Sequence, residues 1–210
     1  SVQPLWALYA QAQHEGRLPT AAEILAVQRS VGWRHVEVSD QRIRLRQPGM
    51  ALTCNGSAQG YAADMARAAL RAHGVADALI NAGEHASLGH NDQGQAWTLG
   101  IENPRDEQAM FAALRSDGRA VATSADNRSA FTADRRHHHI LDPATGDSPP
   151  ELSSVTVLAP SAMLADALTK VMFIAGAKSI PRLAKQWQVG VLWVNKTGQW
   201  AATPDVHLAS

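Results

Sequence analysis

A histidine and two aspartates in the second half of the chain have the residue types and spacing of a polar site. His139 and Asp142 are three residues apart, where an apolar stretch runs into Asp-Pro-Ala-Thr-Gly at residues 142–146. Proline fixes φ and glycine permits positive φ, so this sequence predicts a strand that ends in a tight turn. Asp166 lies in the first turns of an apolar helix predicted one strand later. Such groups suit acid–base chemistry or metal binding, and the alternative is ordinary turn and helix-cap chemistry.

A second candidate is the glycine-containing turn at residues 55–60, which precedes a predicted helix at 61–73. Gly56 and Gly60 would let an anion approach the backbone closely, and N–H groups at a helix start favour negative charge. The segment matches neither the P-loop nor the dinucleotide-binding fingerprint. It therefore predicts either a phosphate site or a plain turn with a helix cap. Asp64 in the first turn is explained equally well as a partner of the helix dipole.

Glu84 and a run of three histidines are further candidates for binding residues. Glu84 follows the predicted buried strand at residues 78–82, a common location for binding side chains. Three consecutive histidines raise the question of zinc, but in a strand His137 and His139 face one side and His138 the other. At most two of them could share an ion, so the pattern does not favour a zinc site.

Composition excludes several classes of function. The chain has 210 residues, 45% of them hydrophobic, and a formal net charge of zero, which gives no electrostatic argument for nucleic acid or an anionic membrane. Cys54 is the single cysteine, so an intrachain disulfide and a cysteine metal cluster are excluded. No apolar run approaches the roughly 20 residues of a transmembrane helix. No signal peptide is visible, and the opening Ser-Val-Gln-Pro without Met is typical of either an artificial boundary or a processing site, which leaves upstream sequence open.

The elements that must position these groups follow from periodicity and from turn residues. Helices are predicted over residues 5–13, 21–31, 61–73, 108–114, 161–175 and 180–187, and Thr20 with Glu23 forms a predicted capping box. Strands are predicted to include residues 36–38, 43–45, 78–82, 96–101, 120–124, 137–141, 154–159, 189–194 and 199–202. Because helices and strands do not strictly alternate, we predict an α+β fold, a single domain with one mixed or antiparallel sheet and flanking helices.

Short motifs recur in order along nearly the whole chain. They are Val-Gln-Pro-Leu-Trp at 2–6, Asn-Gly-Ser-Ala-Gln-Gly-Tyr-Ala-Ala-Asp at 55–64, Asn-Ala-Gly-Glu at 81–84, Ala-Thr-Ser at 122–124, His-Ile-Leu-Asp-Pro-Ala-Thr-Gly at 139–146 and Ala-Asp-Ala-Leu at 165–168. In this order the motifs resemble those of the ApbE-like flavin transferases, the FAD:protein FMN transferase family. The Gln-Gly-Tyr and Gly-Glu versions are similar to the branch associated with nitrous oxide reductase maturation.

The resemblance implies an activity and a setting. Residues 1–210 would form a flavin transferase domain that lacks the family's N-terminal portion. Such enzymes bind FAD with Mg²⁺, cleave its pyrophosphate and attach FMN to a Thr or Ser hydroxyl of an acceptor flavoprotein, with AMP as the leaving group. The implied partners are that acceptor, FAD and a membrane-associated redox complex, with no nucleic acid. The implied location is the periplasm or cell envelope.

The resemblance also assigns roles to residues. Asp166 would be the carboxylate ligand of the metal, with the backbone carbonyls of Gly56 and Thr169 as further ligands. His139 would act beside Asp166 in catalysis, near the pyrophosphate. The residues implied to contact FAD are Asn55, Gln59, Gly60, Tyr61, Asp64, Glu84, Thr123 and His139. Gln59 stands where the family has a lysine that faces phosphate.

One departure from the family bears on chemistry. Lys170 stands four residues after Asp166, where the family has a threonine that is the second side-chain metal ligand. A protonated ammonium cannot ligate Mg²⁺, so Lys170 either replaces the charge of the metal or abolishes its site. Three functions therefore stay open: an active FMN transferase, a non-catalytic flavin-binding or maturation protein of the same fold, and an FAD pyrophosphatase that releases free FMN and AMP.

Overall fold

The structure is a computed structural model that describes residues 1–209, the side chain of Glu107 excepted. Its contacts divide the chain into two compact units. The first, here called the helical unit, comprises residues 1–54 and 128–150. The second, here called the sheet unit, comprises residues 55–127 and continues from residue 151 onward.

The helical unit is built on two short helices and a hairpin. Its elements are α1 (Gln3–His14), α2 (Ala21–Gln28), a short 3-10 helix (Trp33–His35) and the antiparallel strands β1 (Val36–Ser39) and β2 (Arg42–Leu45). The predicted capping box is confirmed, because the Thr20 hydroxyl accepts from the Glu23 N–H and the Glu23 carboxylate accepts from the Thr20 N–H. Leu5, Tyr9 and Leu141 form the buried core of this unit.

The sheet unit contains a six-stranded antiparallel sheet. In chain order the elements are α3 (Ala58–Ala72), β3 (Ala78–Asn81), β4 (His85–Leu88), β5 (Thr98–Asn103), β6 (Asp106–Arg115), β7 (Ala120–Ala125), β8 (Leu152–Ala159), α4 (Ala162–Ala175), α5 (Ile180–Trp187), β9 (Gly190–Asn195) and β10 (Trp200–Ala202). The strand order is β10-β9-β8-β7-β4-β3, and β5 and β6 pair separately as a hairpin. The predicted α+β class is confirmed, with the difference that residues 1–209 form three antiparallel sheets instead of the single expected one.

The central strands are covered on both faces, which places the sheet between helices and the hairpin. Val121 of β7 packs with Leu99 of β5 and Leu114 of β6. Its neighbour Ala120 packs instead with Ala63 of α3 and Ala162 of α4. Side chains alternate between faces along a strand, so one face of the sheet meets the hairpin and the other meets α3 and α4.

The helix predicted over residues 108–114 is wrong. These residues belong to strand β6, which pairs with β5 from Thr98 opposite Arg115 to Asn103 opposite Asp106. The Ala- and Leu-rich run has high intrinsic helix propensity, but cross-strand pairing and the complete burial of Leu114 outweigh it.

The strand predicted through the three histidines is also wrong. In this stretch only His138 makes a bridge, an isolated one with Ala130. Its N–H donates to the Ser148 hydroxyl at 2.7 Å, and that hydroxyl donates back to the His138 carbonyl at 2.7 Å. The tight turn that follows is confirmed, because the Gly146 N–H donates to the Asp142 carbonyl at 2.8 Å and Gly146 has a φ of +77°.

Two expectations concern the chain as a whole: the lack of a membrane-spanning helix and the assignment to one domain. Over residues 1–209 no helix is both long enough and apolar enough to cross a membrane. The assignment of residues 1–210 to one flavin transferase domain without its N-terminal portion stays a prediction.

Candidate active site

The N-terminal ends of α3 and α4 meet in the sheet unit. Helix α3 begins at Ala58, three residues before the predicted start, so Gly60 lies in its first turn. A Cβ built on Gly60 would lie 2.2 Å from the backbone oxygen of Ala162, at the start of α4. Only glycine allows the two backbones to approach this closely. The contact explains why the motif at residues 55–64 and the motif at residues 165–168 come together in space.

An aspartate from each helix binds the start of the other helix. Asp64 of α3 accepts hydrogen bonds from the N–H groups of Ala162 and Met163, both at 2.9 Å. Asp166 of α4 accepts from the N–H of Gly60 at 3.3 Å. Negative charge at a helix N-terminus satisfies orphan donors and complements the helix dipole. These reciprocal contacts fix the crossing of α3 and α4.

Asp166 is the most buried charged group of this junction, with no solvent exposure. One of its carboxylate oxygens, Oδ2, receives the Gly60 N–H, and the other, Oδ1, contacts the ammonium of Lys170. The same ammonium donates to the backbone carbonyl of Asp166 at 3.1 Å. A buried carboxylate is tolerated only when it is paired and hydrogen-bonded, and Lys170 supplies that pairing.

Lys170 reaches the glycine-containing turn at residues 55–57. Its Cε atom lies 3.6 Å from the position that a Cβ on Gly56 would occupy. Its side chain is 29% exposed, so the ammonium holds Asp166 from a position that solvent can reach. The structure therefore brings together three sequence-predicted features: the turn, Asp166 and Lys170.

Thr169 ties α4 to the sheet. Its hydroxyl donates to the Asp166 carbonyl at 2.7 Å and lies 2.7 Å from the hydroxyl of Ser124 in β7. Both hydroxyls are buried. These hydrogen bonds link Ser124, near the end of β7, to the backbone of α4 at Asp166.

Glu84 lies in the turn between β3 and β4, near the charges of Asp166 and Lys170. Its side chain is buried, and its carboxylate accepts from the Thr123 N–H at 3.2 Å. Burial, reinforced by the negative charge of Asp166, raises the pKa of Glu84 to about 7, although the Lys170 ammonium and the Thr123 N–H act in the opposite direction. Glu84 therefore changes protonation near neutral pH.

The side chains around these buried carboxylates are exposed. A Cβ on Gly83, whose φ is +96°, would lie 2.5 Å from the side-chain nitrogen of Gln59, so this amide covers the turn before Glu84. The predicted FAD contacts that are exposed are Asn55, Gln59, Tyr61 and Thr123. Exposed polar and aromatic side chains in the same segments as buried acidic groups suit a ligand with both polar and charged parts.

Asp64 binds the N-terminus of a helix, but this helix is α4 and not, as the sequence suggested, its own helix α3. Its carboxylate binds two N–H groups of α4, and Arg67 adds an ion pair at 3.0 Å. The acceptor sites on the carboxylate are thus used within the protein. Its role as an FAD contact stays a prediction.

His139 belongs to the helical unit, where its N–H donates to the Ser129 carbonyl at 2.9 Å. Its predicted action beside Asp166, which belongs to the sheet unit, stays a prediction. The zinc hypothesis gains no support, because no group of three His, Cys, Asp or Glu side chains among residues 1–209 could hold a metal ion.

The sequence does not predict two polar clusters that the structure contains. In the helical unit Asp147 binds the Tyr9 hydroxyl at 2.8 Å and the His137 Nδ1 at 2.7 Å. In the sheet unit Asp126, with no exposure, pairs with Arg105 at 2.7 Å and Lys196 at 2.6 Å. The partners lie up to 138 residues apart, so no spacing rule could have joined them.

The residues as arranged do not fit the magnesium ion that the resemblance implies. Mg²⁺ requires near-octahedral oxygen ligands at about 2.1 Å. The Lys170 ammonium contacts both Oδ1 and the carbonyl of Asp166, and the Gly60 N–H donates to Oδ2. A divalent cation bound to Oδ1 or to this carbonyl would lie against the positive charge of the ammonium, which disfavours it. The assignment of Gly56, Asp166 and Thr169 as ligands stays a prediction.

Comparisons with known proteins agree with the motifs. The model of the ApbE family matches residues 1–193. The FAD:protein FMN transferase of Klebsiella pneumoniae is 34% identical over 205 residues, which are 93% of this chain and 62% of that protein. The FAD:protein FMN transferase of Salmonella typhimurium is 31% identical over 191 residues, 87% of this chain and 54% of that protein. The chain therefore spans about half to three fifths of the length of these relatives.

Solved structures show the same fold. The ApbE protein of Thermotoga maritima superposes with a TM-score of 0.85 at 29% identity, covering 97% of this chain and 68% of that one. The flavin transferase ApbE from Vibrio cholerae superposes with a TM-score of 0.81 at 26% identity, covering 98% of this chain and 67% of that one.

Proposed function

The chain belongs to the ApbE family, and we propose from this premise that it acts as an FAD:protein FMN transferase. The observation that carries the proposal is the junction of α3 and α4, where the turn at residues 55–57, Asp166 and Lys170 lie together beside Glu84. These are the segments in which the chain resembles the family. The curated relatives that it matches over 86–93% of its length carry the name FAD:protein FMN transferase.

The proposed reaction is a phosphoryl transfer. The oxygen of an acceptor Thr or Ser hydroxyl forms a bond to the phosphorus on the FMN side of FAD. The bond from that phosphorus to the bridging oxygen breaks, and its electron pair leaves with AMP. The hydroxyl proton passes to a base, for which the resemblance nominates His139. Catalysis of such a transfer consists chiefly of positioning and of stabilising charge on the phosphoryl oxygens.

The residues of the junction suit the binding of a dinucleotide diphosphate. Lys170 offers a positive charge next to a glycine-containing turn, where little side-chain bulk hinders an anion. Asn55, Gln59, Tyr61 and Thr123 provide exposed polar and aromatic surface for the rest of FAD. Mg²⁺, which the resemblance implies, does not fit the residues as arranged, and no step is assigned to it.

The proposed partners follow from the family alone. They are FAD, an acceptor flavoprotein that presents a Thr or Ser hydroxyl, and a membrane-associated redox complex to which such an acceptor would belong. The proposed location is the periplasm or cell envelope.

A specific observation favours one other function. If the Lys170 ammonium on Asp166 serves flavin binding alone, the chain keeps the fold and binds flavin without catalysis. Such a protein would take part in maturation as a carrier rather than as an enzyme.

Incubation with FAD and a Thr-containing acceptor peptide, followed by mass spectrometry, separates these functions. The proposal predicts an FMN-sized adduct on the peptide and an equal amount of AMP. Free FMN and AMP without an adduct would indicate an FAD pyrophosphatase. FAD that binds without turnover would indicate the flavin-binding protein, and a folded chain that does not bind FAD would contradict all three.

A further inference from the structure

We propose that Lys170 is a built-in cation. Its ammonium takes the place of a divalent metal ion on Asp166 and binds the diphosphate of FAD, so that FAD binding does not depend on Mg²⁺. This inference rests on the proposed function, since it assumes that the α3–α4 junction is where the FAD diphosphate binds.

The Lys170 ammonium already occupies Asp166. Two N–H groups of the Lys170 ammonium are directed at Asp166, one at Oδ1 and one at the backbone carbonyl at 3.1 Å. A carboxylate oxygen and a carbonyl oxygen are the ligands that a hard divalent cation would take here. The ammonium therefore fills the coordination position with a single positive charge.

The neighbouring oxygens also have partners within the protein. Oδ2 of Asp166 accepts from the Gly60 N–H, and this bond joins α4 to the first turn of α3. The Thr169 hydroxyl donates to the Asp166 carbonyl and contacts the Ser124 hydroxyl. A metal ion added to these oxygens would meet the positive charge of the Lys170 ammonium, whereas Lys170 alone neutralises Asp166 and leaves the helix contacts intact.

The ammonium of Lys170 has capacity for an anion. Among the contacts of residues 1–209, Lys170 uses two of its three N–H groups, both on Asp166. Its side chain is 29% exposed, while Asp166 has no exposure, so solvent reaches the pair from the lysine. The Cε atom that carries the ammonium lies next to Gly56 in the turn. A phosphate oxygen there would receive a charge-assisted hydrogen bond.

During the transfer Lys170 stabilises negative charge on the phosphoryl oxygens and is not consumed. It donates a hydrogen bond to a phosphoryl oxygen of FAD while the acceptor oxygen bonds to phosphorus and AMP departs with the bridging oxygen. The ammonium keeps its proton throughout, and no oxidation or reduction takes place. Lys170 is therefore a binding and charge-stabilising residue rather than the base.

The test measures FAD affinity by titration calorimetry in EDTA and in millimolar Mg²⁺. The wild-type chain is expected to bind FAD with the same affinity, within about twofold, in both buffers. Lys170→Thr, which removes the ammonium and supplies a hydroxyl, is expected to bind FAD well only when Mg²⁺ is present. Wild-type binding that is lost in EDTA and restored by Mg²⁺ would overturn the proposal.

Two more variants test the same proposal if Lys170→Thr folds poorly. Lys170→Met leaves a buried carboxylate unpaired, so the double variant Asp166→Asn/Lys170→Met, which removes both charges, is measured beside it. The double variant is expected to lose FAD affinity about tenfold or more in both buffers, as for a lost charge-assisted hydrogen bond. Unchanged affinity in the folded double variant would overturn the proposal.

The matched control is Lys178→Met, which removes the same charge from an exposed lysine just after α4. It is expected to leave FAD affinity unchanged, and an equal loss would show that net charge rather than Lys170 governs binding. Failure of the proposed function and failure of the proposed role of Lys170 give different results. Magnesium-independent FAD binding without FMN transfer would contradict the proposed function alone, and magnesium-dependent transfer would contradict the role of Lys170 alone.

Discussion

Lys170 contacts both the carboxylate and the backbone carbonyl of Asp166, the residue four positions before it in α4. The pair stands at the point where α4 meets the first turn of α3, because the other carboxylate oxygen of Asp166 binds the Gly60 N–H. One ion pair therefore serves the packing of two helices and the charge of the candidate site. The predictions below separate these two roles.

The first prediction concerns the stability of the pair. Lys170→Met should lower the free energy of unfolding by about 1–3 kcal/mol, because Asp166 stays buried without a charged partner. Asp166→Asn/Lys170→Met should recover most of the loss, since no buried charge is left. Urea unfolding followed by circular dichroism measures both. Equal stability of Lys170→Met and the wild type would show that the pair contributes nothing to folding.

The second prediction concerns the close approach of α3 and α4. Gly60→Ala would place a Cβ 2.2 Å from the Ala162 oxygen, so the backbones must separate. We expect a loss of stability of about 1–3 kcal/mol or more, as for an overpacked core. Gly56→Ala is the control, because its Cβ would meet only the Lys170 side chain at 3.6 Å. Thermal unfolding that ranks Gly56→Ala as the more damaging change would contradict the geometry.

The third prediction concerns pH. The pKa of Glu84 is raised from 4.5 in the unfolded reference to about 7 in the folded chain. A raised folded-state pKa means that the folded state keeps a proton which the unfolded state has released. The stability from this group is therefore fully present below pH 4.5 and is lost as the pH rises through about 7.

Glu84→Gln isolates this effect. Relative to the variant, the wild type should lose on the order of 2–3 kcal/mol between pH 4.5 and pH 8. Subtracting the two unfolding curves at each pH cancels the titration of all other groups. A flat difference would mean that Glu84 is ionised in the folded state at ordinary acidic pH.

The fourth prediction separates two roles of Asp64. Asp64→Ala removes the acceptor of two α4 N–H groups and should lower the unfolding free energy by about 1–2 kcal/mol. If capping is its whole function, FAD affinity of the folded variant should stay unchanged in calorimetry. Asp92→Ala, at an exposed loop position, is the control for stability. A large loss of FAD affinity without a loss of stability would instead support the sequence-based expectation that Asp64 lines the FAD pocket.

Local chemistry in the sequence predicts local structure well. The capping box of Thr20 and Glu23 and the turn from Asp142 to Gly146 depend on residues three or four apart, and both are confirmed. The wrong helix at residues 108–114 has a local cause as well. Its composition favours a helix, whereas pairing with the preceding strand β5 across a hairpin turn and the burial of Leu114 make it a strand.

The candidate site was accessible from the sequence only through ordered motifs. Gly60 and Asp166 are 106 residues apart, and nothing in their spacing predicts that one binds the other. The departure at Lys170 could be seen in the sequence, but two readings of it were open. The contact with both oxygens of Asp166 favours replacement of the metal charge, because the ammonium occupies the position of the cation rather than pointing away.

The most direct measurement is the intact mass of a Thr-containing acceptor peptide after incubation with this protein and FAD, in EDTA and in millimolar Mg²⁺. We expect an FMN adduct on the peptide hydroxyl together with released AMP in both buffers. A peptide of unchanged mass in both buffers, in the presence of folded protein with FAD bound to it, would contradict the proposed transfer.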